Sequence, residues 1–84
     1  MRLIVALALS LFTLPLALAF DGPKTVQDYY KLRPECRQGE TATGEILTAN
    51  QSAASCTALD RLGRELTANG YCWINSEQEW VVCK

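Results

Sequence analysis

Four cysteines are the residues of this chain whose type and spacing bear most directly on chemistry. They are Cys36, Cys56, Cys72 and Cys83, with 19, 15 and 10 residues between successive members. No pair has the Cys-x-x-Cys spacing of redox-active dithiols or of paired zinc ligands, so neither a redox centre nor a metal site is predicted. An even number of cysteines in a short chain is typical of a disulfide framework. We therefore predict that all four form structural disulfides.

Catalytic groups are scarce in the sequence. The chain contains no histidine, and histidine is the most common general base and metal ligand. Glu77 and Glu79 are close in sequence, but they fall at the predicted tip of a hairpin, which is exposed to solvent and is not a cleft. A chain this short also has difficulty enclosing a pocket of the ~300 Å³ or more typical of ligand sites. The sequence predicts a protein that is not an enzyme and has no cofactor.

Three aromatic residues near the C-terminus are the candidates for a binding face: Tyr71, Trp73 and Trp80. On one face of a hairpin they would be able to stack on a sugar ring or anchor another protein, because aromatic side chains dominate interface energetics. The alternative is that they form the core of a small domain that has few other large residues. We favour the core and keep the binding face as the alternative.

The segment that carries these aromatics, residues 71–83, is predicted to form a β-hairpin. Aromatic and β-branched residues flank a polar run, as in a pair of short strands. Pairing the two cysteines of this segment directly across the strands places Ile74 opposite Val81 and leaves a four-residue loop, 76–79. One face then carries Cys72, Ile74, Val81 and Cys83, and the other carries Tyr71, Trp73, Trp80 and Val82.

The main helix is predicted over about residues 50–69, immediately before the hairpin. Its apolar residues recur at helical spacing as Cys56, Leu59, Leu62 and Leu66. Thr48 and Gln51 resemble a capping box, so the helix is expected to start between 48 and 52. Asn69-Gly70 is expected to end it. Gly63 lies beside the apolar stripe, where we expect it to let a strand backbone approach closely.

The predicted helix also determines the expected disulfide connectivity. Cys56 lies about 20 Å along the helix axis from the end at which both strands meet the helix, at 1.5 Å per residue. Disulfides require Cα atoms within about 7 Å. We therefore predict Cys72–Cys83 within the hairpin, and Cys36–Cys56 between the preceding segment and the helix start.

The N-terminal residues are predicted to be a secretory signal peptide, residues 1–19. Arg2 precedes an apolar run that Pro15 interrupts, and Ala17-Leu18-Ala19 has the small-x-small pattern of a cleavage site. The mature chain, 20–84, is expected to be one small domain without stable membrane association. Because Arg2 is removed, seven basic side chains remain against nine acidic ones, which argues against nucleic-acid binding. A domain of this size needs disulfides to be stable.

Between the signal peptide and the main helix, the sequence predicts a short helix at about 25–33 and a loop at 34–47. Thr25 is the expected cap of the short helix, and Pro34 is expected to end it. The fold class is therefore α+β, with a main helix on a C-terminal hairpin and a short N-terminal helix.

The C-terminal third resembles a pattern found in small exported bacterial proteins of unknown function. The residues that carry the resemblance are Cys56, Leu59, Leu62, Gly63, Leu66, Gly70, Tyr71, Cys72, Trp80 and Cys83. The resemblance implies a periplasmic location and a helix-plus-hairpin fold, and it carries over no catalytic residue. We expect an exported protein, periplasmic or extracellular, that binds another protein or a carbohydrate. The alternative is a secreted effector or inhibitor directed at a host or competitor protein.

Overall fold

The structure is a computed structural model that describes residues 19–84. The predicted signal peptide, except for its last residue, lies outside the described residues. The described part contains two helices, α1 (Gly22–Arg37) and α2 (Ala49–Ala68), and a C-terminal hairpin of β1 (Tyr71–Ile74) and β2 (Glu79–Val82). The fold is α+β, as the sequence predicts.

Helix α1 begins earlier than the sequence predicts because a different residue caps it. Asp21 is the N-cap, and its carboxylate accepts a hydrogen bond from the Lys24 backbone N–H at 3.1 Å. Pro23 lies in the first turn, where its fixed φ suits a helix start. Thr25, the expected cap, is instead buried inside the helix, and its hydroxyl donates to the Asp21 carbonyl at 2.7 Å.

The end of α1 also differs from the prediction, because Pro34 lies inside the helix and does not end it. The helix continues to Arg37, and the Gln38 N–H donates to the Pro34 carbonyl at 2.8 Å. A proline removes one backbone hydrogen bond, a loss that contacts elsewhere can offset. Here the last turn is held by α2, since the Ser52 hydroxyl donates to the Glu35 carbonyl at 2.9 Å.

Helix α2 has the ends that the sequence predicts. Thr48 and Gln51 form the capping box: the Thr48 hydroxyl accepts from the Gln51 N–H at 3.1 Å, and the Gln51 side chain accepts from the Thr48 N–H at 2.9 Å. Asn69 is the C-cap, and Gly70 follows with φ of 87°, a conformation that glycine adopts without strain. The local signals are thus sufficient to define this helix.

The two helices lie antiparallel. At one end, the Cys36–Cys56 disulfide joins them with a Cα–Cα distance of 4.5 Å. Ser55 is buried beside it and donates to a Glu35 carboxylate oxygen at 2.8 Å. Among the described residues, Leu66 is the one large apolar side chain with no exposed surface. Because this core is so small, the disulfides and the partly buried aromatic residues contribute a large share of the stability.

Both predicted disulfides are present, but the hairpin register differs from the prediction by two residues. The strand partners are Tyr71↔Val82, Cys72↔Val81, Trp73↔Trp80 and Ile74↔Glu79. The loop is residues 75–78, and the Cys72–Cys83 bond runs diagonally, with a Cα–Cα distance of 5.2 Å. Side chains alternate with a period of two, so a two-residue shift leaves every predicted face unchanged.

The loop explains this register. Gln78 adopts φ of 54°, and its side-chain amide donates to the Asn75 carbonyl at 2.6 Å. The Glu77 N–H donates to the Ile74 carbonyl at 3.2 Å. These bonds close the turn directly after Ile74, one residue earlier than predicted. Within residues 19–84, no helix has the length and apolar character needed to cross a membrane.

Candidate functional site

The two tryptophans of the predicted binding face form an aromatic cluster with a residue of α1. Trp73 and Trp80 are cross-strand partners in a T-shaped arrangement, with ring centroids 5.4 Å apart. The ring centroid of Tyr29 lies 5.8 Å from that of Trp73 and 5.3 Å from that of Trp80. All three are half-buried. This aromatic cluster (Tyr29, Trp73, Trp80) joins the hairpin to α1.

Tyr71, the third predicted member of the binding face, is part of a separate contact. Its ring packs on Phe20 with centroids 6.2 Å apart. It also lies directly over Gly22, where a Cβ atom would come within 2.8 Å of the Tyr71 Cζ atom. The structure therefore places Tyr71 at the start of α1, away from the two tryptophans. The need for glycine at position 22 depends on this contact between distant residues and could not be predicted from the sequence.

Polar contacts from α1 hold the hairpin in place beside the aromatic cluster. The Arg33 guanidinium lies 5.2 Å from the centroid of Trp73, a cation–π contact, and it also donates a hydrogen bond to the Gln78 side chain. The backbone N–H of Trp80 donates a hydrogen bond to the Tyr30 hydroxyl at 2.7 Å. Tyr30 thereby satisfies a backbone donor on strand β2 that has no strand partner. The role of Arg33 and the role of Tyr30 could not be predicted from the sequence.

The indole N–H of Trp80 is the one buried polar side-chain atom among the described residues that has no hydrogen-bond partner. A buried donor without an acceptor costs about 1–3 kcal/mol of stability. The neighbouring surfaces of Tyr29 and Trp73 are aromatic, so they offer at best a weak N–H···π contact. Ring packing therefore holds Trp80 in place, although its indole N–H loses the hydrogen bond that it would make with water.

An open groove runs along α2, with the aromatic cluster as its other wall; we name it the α2 groove. Its cavity volume is about 660 Å³, and it extends from Cys56 to the end of the helix. Tyr29 and Trp80 form the wall opposite the helix. The α2 residues that line it beyond Cys56 are Leu59, Asp60, Gly63, Arg64, Thr67 and Ala68.

Gly63 lies at the middle of the α2 groove. A Cβ atom at this position would lie 3.5 Å from Tyr29 Cε2 and 3.7 Å from Trp80 Cζ2, ordinary van der Waals distances. The expectation that Gly63 admits a strand backbone is therefore wrong, because aromatic side chains, not backbone atoms, lie over it. The glycine leaves room for one Cβ atom beneath these two rings.

The α2 groove is apolar along its floor and charged at its rim. Asp60 and Arg64 form an ion pair one turn apart and are both solvent-exposed. An exposed pair of this kind contributes little to stability. Leu59 and Gly63 lie on the side of α2 that faces the aromatic wall, and Ala68 is a further small residue of the lining. The arrangement suits the binding of an apolar surface flanked by charge.

The described residues, 19–84, contain no cluster of three or more histidine, cysteine, aspartate or glutamate side chains placed to hold a metal ion. Comparison of the chain with protein-family models, with curated proteins and with solved structures gives no match.

Proposed function

We propose that the protein is a small exported interaction protein that acts by binding, in the periplasm or outside the cell. The observation that carries the proposal is the α2 groove, with its volume of about 660 Å³ and its apolar floor. Concave, largely apolar surfaces with a few placed polar groups are the usual form of binding sites. Its walls are held by the Cys36–Cys56 disulfide and the aromatic cluster, so little ordering is required on binding.

The partner that fits best is an amphipathic helix of another protein. The groove follows α2 from Cys56 to Ala68, a rise of about 18 Å at 1.5 Å per residue, which matches three turns of a docked helix. Asp60 and Arg64 at the rim favour a partner helix that carries a basic and an acidic residue beside its apolar stripe. A sugar is disfavoured because the rings of the aromatic cluster pack edge to face on one another.

Export is supported by two observations of different kinds. The sequence predicts a signal peptide, and two disulfides link all four cysteines of the chain. Disulfides of this kind are typical of proteins that fold in an oxidising compartment. Fractionation of a producing cell into cytoplasm, periplasm and medium tests the location. A protein found in the medium rather than in the periplasm would favour a secreted effector or inhibitor.

A pair of matched variants tests the groove. Thr67 lines the groove and Thr57 does not, yet both are exposed on α2. Both also donate their hydroxyls to the carbonyl four residues earlier, at 3.0 and 3.2 Å. Thr67→Arg places a charge in the apolar groove, whereas Thr57→Arg makes the same chemical change outside it. Because both residues are exposed, we expect both variants to fold like the wild type.

The measurement is quantitative capture from an exported fraction, with wild type and the two variants as bait at equal loading. We expect one protein to bind wild type and Thr57→Arg, and to lose at least about tenfold in affinity with Thr67→Arg. Protease footprinting should then map the contact to an amphipathic helix of that protein. A partner that binds all three baits equally would refute the role of the groove. A doubled mass in solution, lost in Thr67→Arg, would show that the occupant is a second copy.

A further inference from the structure

The two disulfides differ in their exposure to solvent. Cys36 and Cys56 are half-buried between the helices, whereas Cys72 and Cys83 are both exposed. Cys72 and Val81, its strand partner, lie on the hairpin face opposite the aromatic cluster. Cys83 lies on the same face, one residue beyond the end of β2. The bond that closes the hairpin therefore joins two exposed residues on the face opposite the aromatic cluster.

We propose that the Cys72–Cys83 bond is a site of thiol–disulfide exchange with a dithiol reductant, and that its reduction releases the hairpin from α1. The inference rests on the exposure of the bond and on the aromatic contacts, so it holds whether or not the α2 groove binds a partner. The chain has no Cys-x-x-Cys motif, so this bond is the substrate of the exchange and the reductant supplies the electrons.

The exchange proceeds in two displacements. A thiolate of the reductant attacks one sulfur of the Cys72–Cys83 bond, forms a mixed disulfide and expels the other protein sulfur as a thiolate. The second thiolate of the reductant then attacks the mixed disulfide and expels the remaining protein sulfur. The reductant leaves as its disulfide. The two protons of its thiols end on Cys72 and Cys83, and two electrons have passed to the protein.

Access decides which disulfide reacts first. The attacking sulfur must reach a disulfide sulfur along the axis of the bond, so rates depend on access to that sulfur. Cys36 lies at the last turn of α1 and Cys56 faces it from α2 at one end of the α2 groove; both are half-buried, with Ser52 and Ser55 bonded across the same helix interface. Cys72 and Cys83, by contrast, are both exposed to solvent. We therefore expect the hairpin bond to open while the helices remain joined.

The hairpin depends on this bond because its strands are short. Each strand has four residues, and an isolated two-stranded hairpin is marginally stable at best. For a sequence separation of 11 residues, the loop-closure estimate corresponds to about a 100-fold loss in the equilibrium for a closed hairpin. After reduction, opening is opposed by the short strand pairing, the aromatic cluster, the packing of Tyr71 on Phe20, and the contacts from Tyr30 and Arg33.

The chain contains its own reporter for this release. It has two tryptophans, and both belong to the aromatic cluster. In the experiment, the oxidised protein is placed in a series of buffers with an increasing ratio of reduced to oxidised dithiothreitol. Tryptophan emission and acrylamide quenching are recorded at each step. Acid quenching, alkylation and peptide mapping then identify which cysteines have been reduced. We expect alkylated Cys72 and Cys83 at ratios that leave Cys36–Cys56 intact, with a red-shifted emission in the same step.

A double variant separates opening of the bond from any effect of the reductant itself. Cys72→Ser with Cys83→Ser should show the red-shifted, more readily quenched emission without reductant, while Cys36–Cys56 remains oxidised. Reduction of Cys36–Cys56 before or together with the hairpin bond would overturn the assignment of the exchange site. Opening of Cys72–Cys83 with unchanged tryptophan emission, in either the reduced wild type or the double variant, would overturn the release of the hairpin.

Discussion

The indole N–H of Trp80 has no hydrogen-bond partner, so we expect replacement of Trp80 and of Trp73 to change the free energy of unfolding in different directions. Trp73 and Trp80 face each other across the hairpin, both half-buried, and both contact Tyr29. They differ in polar contacts, because Trp80 buries a donor without an acceptor and Trp73 lies against the Arg33 guanidinium. Replacing each with phenylalanine keeps an aromatic ring and removes the indole N–H.

The magnitudes follow from these contacts. Loss of the second ring costs about 1–1.5 kcal/mol in either variant, at ~0.8 kcal/mol per buried methylene-sized group. In Trp80→Phe, removal of the buried donor raises the free energy of unfolding by about 1–3 kcal/mol. In Trp73→Phe, a weaker cation–π contact adds a loss of about 0.5–1 kcal/mol. We therefore expect Trp80→Phe to be as stable as the wild type or more stable, and Trp73→Phe to lose about 1.5–2.5 kcal/mol.

The assay is urea unfolding of the oxidised protein, followed by far-ultraviolet circular dichroism for wild type and both variants. The variants should differ by at least about 1.5 kcal/mol, equivalent to about 6 °C or more in Tm for a domain of this size. Single-tryptophan fluorescence of each variant gives an independent transition. Equal losses in the two variants, or a larger loss in Trp80→Phe, would refute the reasoning from the buried donor.

Three further outcomes are expected. Gly22→Ala should lower stability by about 1–3 kcal/mol because its Cβ meets the Tyr71 ring; a thermal melt equal to that of the wild type would contradict this. Gly63→Ala should be neutral or stabilise by up to about 1 kcal/mol, since its Cβ makes ordinary contacts in a helix; a lower Tm would show that the groove requires the glycine. The exported protein should begin at Phe20 by intact-mass measurement, and a mass that includes residues 1–19 would contradict the predicted cleavage.

Local sequence signals predicted the parts of this fold that depend on neighbouring residues. The capping box at Thr48 and the Asn69-Gly70 stop define α2 without help from the rest of the chain. The disulfide pairing followed from distances along that helix. The faces of the hairpin were also predictable, because they depend on the two-residue period and survive a two-residue change in register.

The wrong start of α1 was a missed local signal, because Asp21 and Pro23 form its cap and first turn. Contacts between distant residues account for other errors. The helix α1 continues past Pro34 because α2 holds its last turn through Ser52. The hairpin turn closes early around Gln78, which is bonded to Arg33, 45 residues away in sequence. The α2 groove was not predicted for the same reason: Tyr29 lies in a different element from Trp80, and nothing in a one-dimensional pattern places them side by side.

The small core has a consequence for any experiment on function. Leu66 is the one large apolar side chain with no exposed surface in the described part of the chain, so the half-buried aromatic cluster must also act as core. Tyr29 and Trp80 are at the same time a wall of the α2 groove. Alanine at Trp80 would then remove stability and binding surface together, at about 3–5 kcal/mol for a large aromatic. Loss of a partner in that variant would not distinguish unfolding from a damaged site. Exposed groove residues such as Thr67 separate the two effects, because a change there alters the surface while the cluster stays intact.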